Sequence, residues 1–182
     1  VLQETPSEAA IMALRTLSLE TADMHLRLAT SLSGSQRARD IMDRLRLSIA
    51  EVSDITCLIQ CCSEVLQWET VEDSRIREMQ YKCVTADRFK EVLLLAASLS
   101  DEEAKMIEIM RRSSAMIVDG IAMYGYKLPV SGKDIINELG LTPGPMIKEC
   151  QEYLLRLAFR NPKFTRQEAL SAIQNRILER TV

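Results

Sequence analysis

Aromatic residues make up only 4% of this sequence, which leaves little material for stacking unstructured bases. Six glycines and five prolines argue against collagen-like repeats, disordered linkers and a turn-rich all-β fold. Histidine occurs once, as His25, between Met24 and Leu26. With no second histidine, a His-Asp metal site is excluded, and Ser-His-Asp or Cys-His catalysis would rest on this residue with no nucleophile motif beside it. We read His25 as a surface or interfacial histidine. No apolar run reaches the roughly 18 residues of a membrane span. No charged leader precedes an apolar core, so no signal peptide is expected.

Cysteine is present but does not form a disulfide pattern. Cys57, Cys61, Cys62, Cys83 and Cys150 are odd in number and lie in apolar settings, unlike the framework of a secreted protein. Cys57 and Cys61 are four apart and share a helix face, but zinc would need two more ligands. Buried thiols are the better reading, with no metal on this chain, and they imply a reducing, cytoplasmic compartment.

What remains is an ordinary globular composition, 182 residues with 47% hydrophobic and 27% charged side chains. A chain of this size builds a core without staples. Its net charge of -3 is unevenly spread: residues 1–124 carry 14 Lys/Arg against 20 Asp/Glu, and residues 125–182 carry 9 against 6. A mildly basic C-terminal third permits a polyanion contact without demanding one. The chain begins at Val1 rather than Met, and we read it as a piece of something longer.

Helix start signals are frequent. Thr5-Pro6-Ser7-Glu8 supplies a cap, a first-turn proline and an acid, and Ser/Thr-x-x-Glu/Gln boxes recur at Ser33–Gln36, Ser48–Glu51, Ser100–Glu103 and Thr165–Glu168. Apolar stripes follow at spacings of three and four, as in Val52, Ile55, Ile59 and Cys62 or in Ala169, Ile173 and Ile177. The pattern predicts helices near 7–31, 35–46, 49–67, 71–80, 85–98, 101–124, 132–139, 145–159 and 166–179. No segment alternates with period two, so the expected fold is all-α. Glycines and Pro129 gather between Gly120 and Gly132, dividing the chain into a helical body, residues 1–126, and a smaller helical tail, residues 127–182. The helix from Asp101 is expected to run on as a spine that makes the halves rigid.

The most informative stretch runs from Gly132 to Lys148. It reads as a short helix, a stop at Gly140, a turn set by Pro143 and Gly144, and a second helix opening at Pro145. Gly144 is expected at positive φ or in close approach. The free amides at such a helix start, with the positive end of the dipole, can hold a phosphate oxygen, and Lys133 and Lys148 would reinforce it. The same Pro-Gly-Pro reads equally as a sharp corner between packed helices, and the residues alone leave both open.

This helix–hairpin–helix-like stretch resembles the C-terminal part of bacterial class II tRNA nucleotidyltransferases, the CCA-adding and poly(A) polymerase-like family. The pattern Gly-x-Asp-Leu followed by Leu-Gly-x-x-Pro-Gly-Pro is carried by Gly132, Asp134, Ile135, Leu139, Gly140, Pro143, Gly144 and Pro145. Asn161-Pro162 before the Thr165–Glu168 helix start is also similar, and Arg44-Leu45-Arg46-Leu47-Ser48 with Glu51 resembles the family's body segment more weakly. Together the matches span roughly residues 38–180. The resemblance implies a non-catalytic body and tail that grip the acceptor–T arm of tRNA. A catalytic head elsewhere in the parent chain would extend the 3′ end with CTP or ATP and magnesium.

Departures from the family are as informative. A catalytic head needs two carboxylates one residue apart on a strand, whereas Asp40 and Asp43, after Gly34-Ser35, are three apart in a predicted helix. The base-selecting Glu-Asp-x-x-Arg fails because Ile76 follows Glu72-Asp73 where arginine is required. Arg75 and Arg77 either side are read as a solvated charged helix. Gly132-Lys133-Asp134 lacks the glycines of a phosphate loop. Trp68, Tyr124 and Tyr126 read as core or interface anchors rather than stacking platforms, and the methionines as core filler. The chain alone is therefore expected to be inactive.

The expected phosphate contacts are Lys133, Gly144, Lys148, Arg156, Arg160, Lys163 and Arg166. The alternative is a helical scaffold without RNA binding, whose exposed apolar face binds another protein or forms a homodimer; the acidic body and the surface that would meet the catalytic head of its parent chain support it. A DNA-binding hairpin would need a stronger basic patch.

Overall fold

The computed structural model describes residue 29 and residues 38–181. Among them are eight α-helices and no strand: α1 (Ala38–Arg44), α2 (Ile49–Leu66), α3 (Asp73–Cys83), α4 (Ala86–Leu99), α5 (Glu103–Val118), α6 (Gly132–Leu139), α7 (Pro145–Arg160) and α8 (Arg166–Thr181). The fold is all-α, as the sequence predicts. The helix expected over 7–31, the starts at Thr5–Glu8 and Ser33–Gln36, Gly34-Ser35 and His25 lie outside the described residues. From that region only Ala29 is described, fully buried in the first hydrophobic core.

Side-chain caps set several of the boundaries. At α2 the Ser48 N–H donates to Glu51 Oε2 at 2.7 Å and the Glu51 N–H to Ser48 Oγ at 3.3 Å, so two amides without helical partners are served reciprocally. Thr165 and Glu168 repeat this at α8, at 2.7 and 3.3 Å. Ser131 and Asp134 build a third box at α6, at 2.7 and 3.2 Å. The Ser100–Glu103 box does not form. Ser100 ends α4, its hydroxyl donating to the Ala96 carbonyl at 3.1 Å, and α5 opens from Glu102 without a side-chain cap.

The spine expected from Asp101 is also shorter than the sequence suggests. Helix α5 stops at Val118, and Gly120 takes φ 65°. The Ile121 N–H then reaches the Met116 carbonyl at 2.9 Å and the Gly120 N–H the Ile117 carbonyl at 3.2 Å. That pair of bonds is a Schellman termination, which a left-handed glycine makes easy. No helix spans 119–131.

Helix α2 packs on α4, with α3 and α5 completing the first group. Ile55, Leu58, Val65, Val92, Leu93 and Ile109 form its centre, and Trp68 is buried with them. Helices α6, α7 and α8 close a second core around Ile135, Leu154 and Ile173, each fully buried and each contributing roughly 1.5–3 kcal/mol. A Cβ on Gly132 would stand 3.2 Å from Ile147 Cγ2, so the glycine lets the start of α6 approach α7. A third cluster of Met123, Ala158 and Phe159, flanked by Tyr81 and Tyr126, lies where α3 meets α7.

Beside that junction lies a polar network whose centre, Gln80 and Ser113, is buried. Gln80 Nε2 donates to Ser113 Oγ at 2.9 Å, Gln80 Oε1 accepts the Met123 N–H at 3.0 Å, and Ser113 Oγ lies 3.1 Å from the Tyr124 hydroxyl. It ties α3, α5 and the connecting segment together.

Candidate nucleic-acid interface

Gly140 ends α6 in the left-handed conformation, φ 64°, and Pro145 opens α7 at its first position. Between them Gly144 is extended, at φ 166°, with nothing near the position of a Cβ. The expectation of positive φ or close approach at Gly144 is therefore corrected: any residue adopts that backbone. Its own effect is local, since as a glycine it offers no side-chain oxygen, and the first turn of α7 has no side-chain cap.

Five of the expected cations lie on or near this helix with exposed side chains. Lys133 is exposed on the first turn of α6, and Lys148, Arg156 and Arg160 are exposed along α7, with Lys163 just beyond. Lys148 lies 3.9 Å from Glu152, one turn on, an exposed pair of little energetic weight. Lys133, Arg156, Arg160 and Lys163 have no side-chain ion-pair partner among the described residues. Arg156 and Arg160 share a face by their spacing of four.

Arg166 is differently placed. Its guanidinium lies 3.1 Å from both Asp134 Oδ1 and Glu138 Oε1, tying the start of α8 to α6. Asp134 is at once the cap partner of Ser131, and the Ser131 hydroxyl and amide, followed by Arg166, hold its carboxyl well below the usual carboxylate range. Arg176 lies over the Tyr153 ring at 4.3 Å, a second polar tie between α8 and α7.

Four of the five thiols are buried, and Cys57 is half-buried against the first core. Cys57 and Cys61 present their sulfurs 3.9 Å apart on α2. Residues four apart on a helix hold their Cβ atoms about 5–6 Å apart, too wide for the roughly 3.5–4.5 Å of a disulfide. The hydrogen bond with Cys61, then burial, pushes the Cys57 thiol far up, and burial pushes Cys62 up to about 11. Such thiols are protonated and unreactive near neutrality. Among the described residues no three His, Cys, Asp or Glu side chains are grouped to hold a metal ion.

Trp68 is buried, and Tyr124 and Tyr126 are half-buried anchors. Asp40 and Asp43 lie on helix α1. Arg77 overturns the reading of its segment as a solvated charged helix: its side chain is only 9% exposed. It reaches the far end of α7, where Nη1 donates to the Phe159 carbonyl at 2.6 Å. Sequence reasoning missed it because its partners are backbone carbonyls 82 residues away.

Exposed apolar side chains collect elsewhere. Val118 is 85% and Ile117 49% exposed at the end of α5, and Ile49 is 91% exposed at the start of α2. No helix is long and apolar enough to cross a membrane among the described residues. Searches of protein-family models, curated proteins and solved structures returned no match to this chain.

Proposed function

We propose that this chain is a non-catalytic RNA-binding region that holds the backbone of tRNA by shape, as the body and tail of a tRNA nucleotidyltransferase would. The observation that carries the reading is the row of exposed cations, Lys148, Arg156, Arg160 and Lys163, along and just beyond a helix that opens without a side-chain cap at Gly144. Pro145 has no N–H and the Ile147 N–H bonds the Gly144 carbonyl at 3.1 Å, so it is the positive end of the dipole that favours a phosphate oxygen there, and cations along the same helix suit a backbone followed over several nucleotides. Structured RNA is recognised mostly through phosphate and ribose contacts. Exposed aromatics for stacking are not needed for that mode. In this reading Lys133 flanks the row, the parent's head supplies the chemistry with magnesium and CTP or ATP, and the compartment is cytoplasmic.

Binding of intact tRNA at two salt concentrations, with an unstructured RNA as competitor, tests the reading. Each phosphate neutralised steepens the salt dependence, so binding that weakens with salt yet survives the competitor is the expected result. Lys148→Glu is expected to lower affinity severalfold while leaving the helical signal intact. Unchanged affinity in the folded variant removes Lys148 from the contact, and no binding at low salt removes the RNA reading altogether.

One observation favours a second reading. The exposed Ile117 and Val118 suit an apolar contact with a second copy or with the head of the parent chain. Such an association would be nearly indifferent to salt, so the same titration separates the two.

A further inference from the structure

We infer that Arg77 is the coupling residue that holds α6–α8 rigidly on the first helical group, and that the segment 119–131 becomes a hinge when it is lost. The segment is tied to the first group at Met123 and Tyr124, but it is no rigid rod between the two groups. It contains no helix, and Gly120 and Gly125 both sit at positive φ, 65° and 62°. Helix α3 on α7 is the main helix pair that joins the two groups, and Arg77 stands in that contact.

Its hydrogen bonds explain the coupling. The last carbonyls of a helix have no partner within it, and a cation there also meets the negative end of the dipole. Arg77 Nη1 donates to the Phe159 carbonyl at 2.6 Å and reaches the Arg160 carbonyl at 3.5 Å. A residue of one group therefore caps a helix of the other. Asp73, 3.8 Å away and one turn earlier on α3, balances the charge. Tyr81, one turn later, sets its ring 5.7 Å from that of Phe159, so the polar cap and the apolar contact grip the same end of α7.

The remaining nitrogen supports a positioning role over a merely stabilising one. Arg77 Nε is buried with no partner, a cost that an apolar side chain of similar volume would not carry. Such a side chain would fill the space but would leave the carbonyls of α7 uncapped. The inference concerns the rigidity of the chain and holds whether or not the chain binds RNA.

Lys127 provides the test. It is exposed within the connecting segment, so tryptic cleavage after it reports opening of the hinge. The lone Trp68 is buried in the first group, so its emission reports that group alone. In Arg77→Met, cleavage after Lys127 is expected to accelerate about tenfold or more while Trp68 emission stays native. Arg77→Lys, which keeps one cationic donor, is expected to fall between. A folded Arg77→Met cut at the wild-type rate overturns the inference. Should neither variant fold, hydrogen exchange of the unaltered chain in sub-denaturing urea decides it. Exchange of α8 amides through the same opening as α2 amides supports rigid coupling, and a separate, earlier opening of α8 refutes it.

Discussion

Replacing Gln80 with leucine removes two buried hydrogen bonds but strands only one of the partners. Gln80 is fully buried, and both ends of its amide are engaged. Leucine has nearly the same volume, so the change opens little cavity. Ser113 is not stranded, because the Tyr124 hydroxyl remains 3.1 Å away. The Met123 N–H is stranded, since Gln80 Oε1 is the acceptor it uses and water does not reach it through Met123, itself 1% exposed. An unpaired buried amide costs about 1–3 kcal/mol, and that is the expected loss. Gln80→Ala adds a cavity and should cost about 2–5 kcal/mol. Ser113→Ala should cost less in the leucine background than in the wild type, because the amide it would orphan is already gone. Urea unfolding followed by Trp68 emission measures all of these, since Trp68 lies in the adjoining core. A leucine variant with the wild-type midpoint and slope would show that Met123 finds another acceptor, and the reasoning would fail.

Two further outcomes follow from the caps. Asp134 is held well below the usual carboxylate range by Ser131 and then Arg166, so its contribution is present above its ordinary value of 3.8 and is lost as pH falls below it. Unfolding of α6–α8 should therefore become easier below about pH 4, and Asp134→Asn should flatten that decline; an equally steep decline in the variant counts against the assignment. Gly120→Ala should destabilise the chain by roughly 1–2 kcal/mol from backbone strain alone, because nothing crowds the Cβ position; Gly120→Asn, which tolerates the left-handed region, should cost less in the same thermal melt.

The helices were legible where the sequence carries a reciprocal cap. Ser48 with Glu51 and Thr165 with Glu168 both form as their spacing suggests. Ser100 misled because its hydroxyl turns back to the preceding helix, a choice made by where α4 ends. The box at α6 was overlooked because its acid is aspartate, which reaches the same amide. The end of α5 was misplaced because the apolar spacing continues through Ile121 and Met123, whereas the Gly120 bonds stop the helix. At the candidate interface the sequence located the cations and the turn but not which charges are spent internally. Arg166 and Arg77 carry the same formal charge as Arg156, and only tertiary placement puts carboxylates beside one and carbonyls beside another.

The engagement of Arg166 gives the C-terminal helices two electrostatic aspects. Where α8 meets α6, one guanidinium stands against two carboxylates, so an approaching polyanion finds a locally negative seam. Along α7, Arg156 and Arg160 form no ion pair with a described residue, although Glu152 stands one turn before Arg156. The surplus of cations in residues 125–182 is therefore polar in its distribution, and an anionic partner steered toward these helices would be turned to meet α7 first.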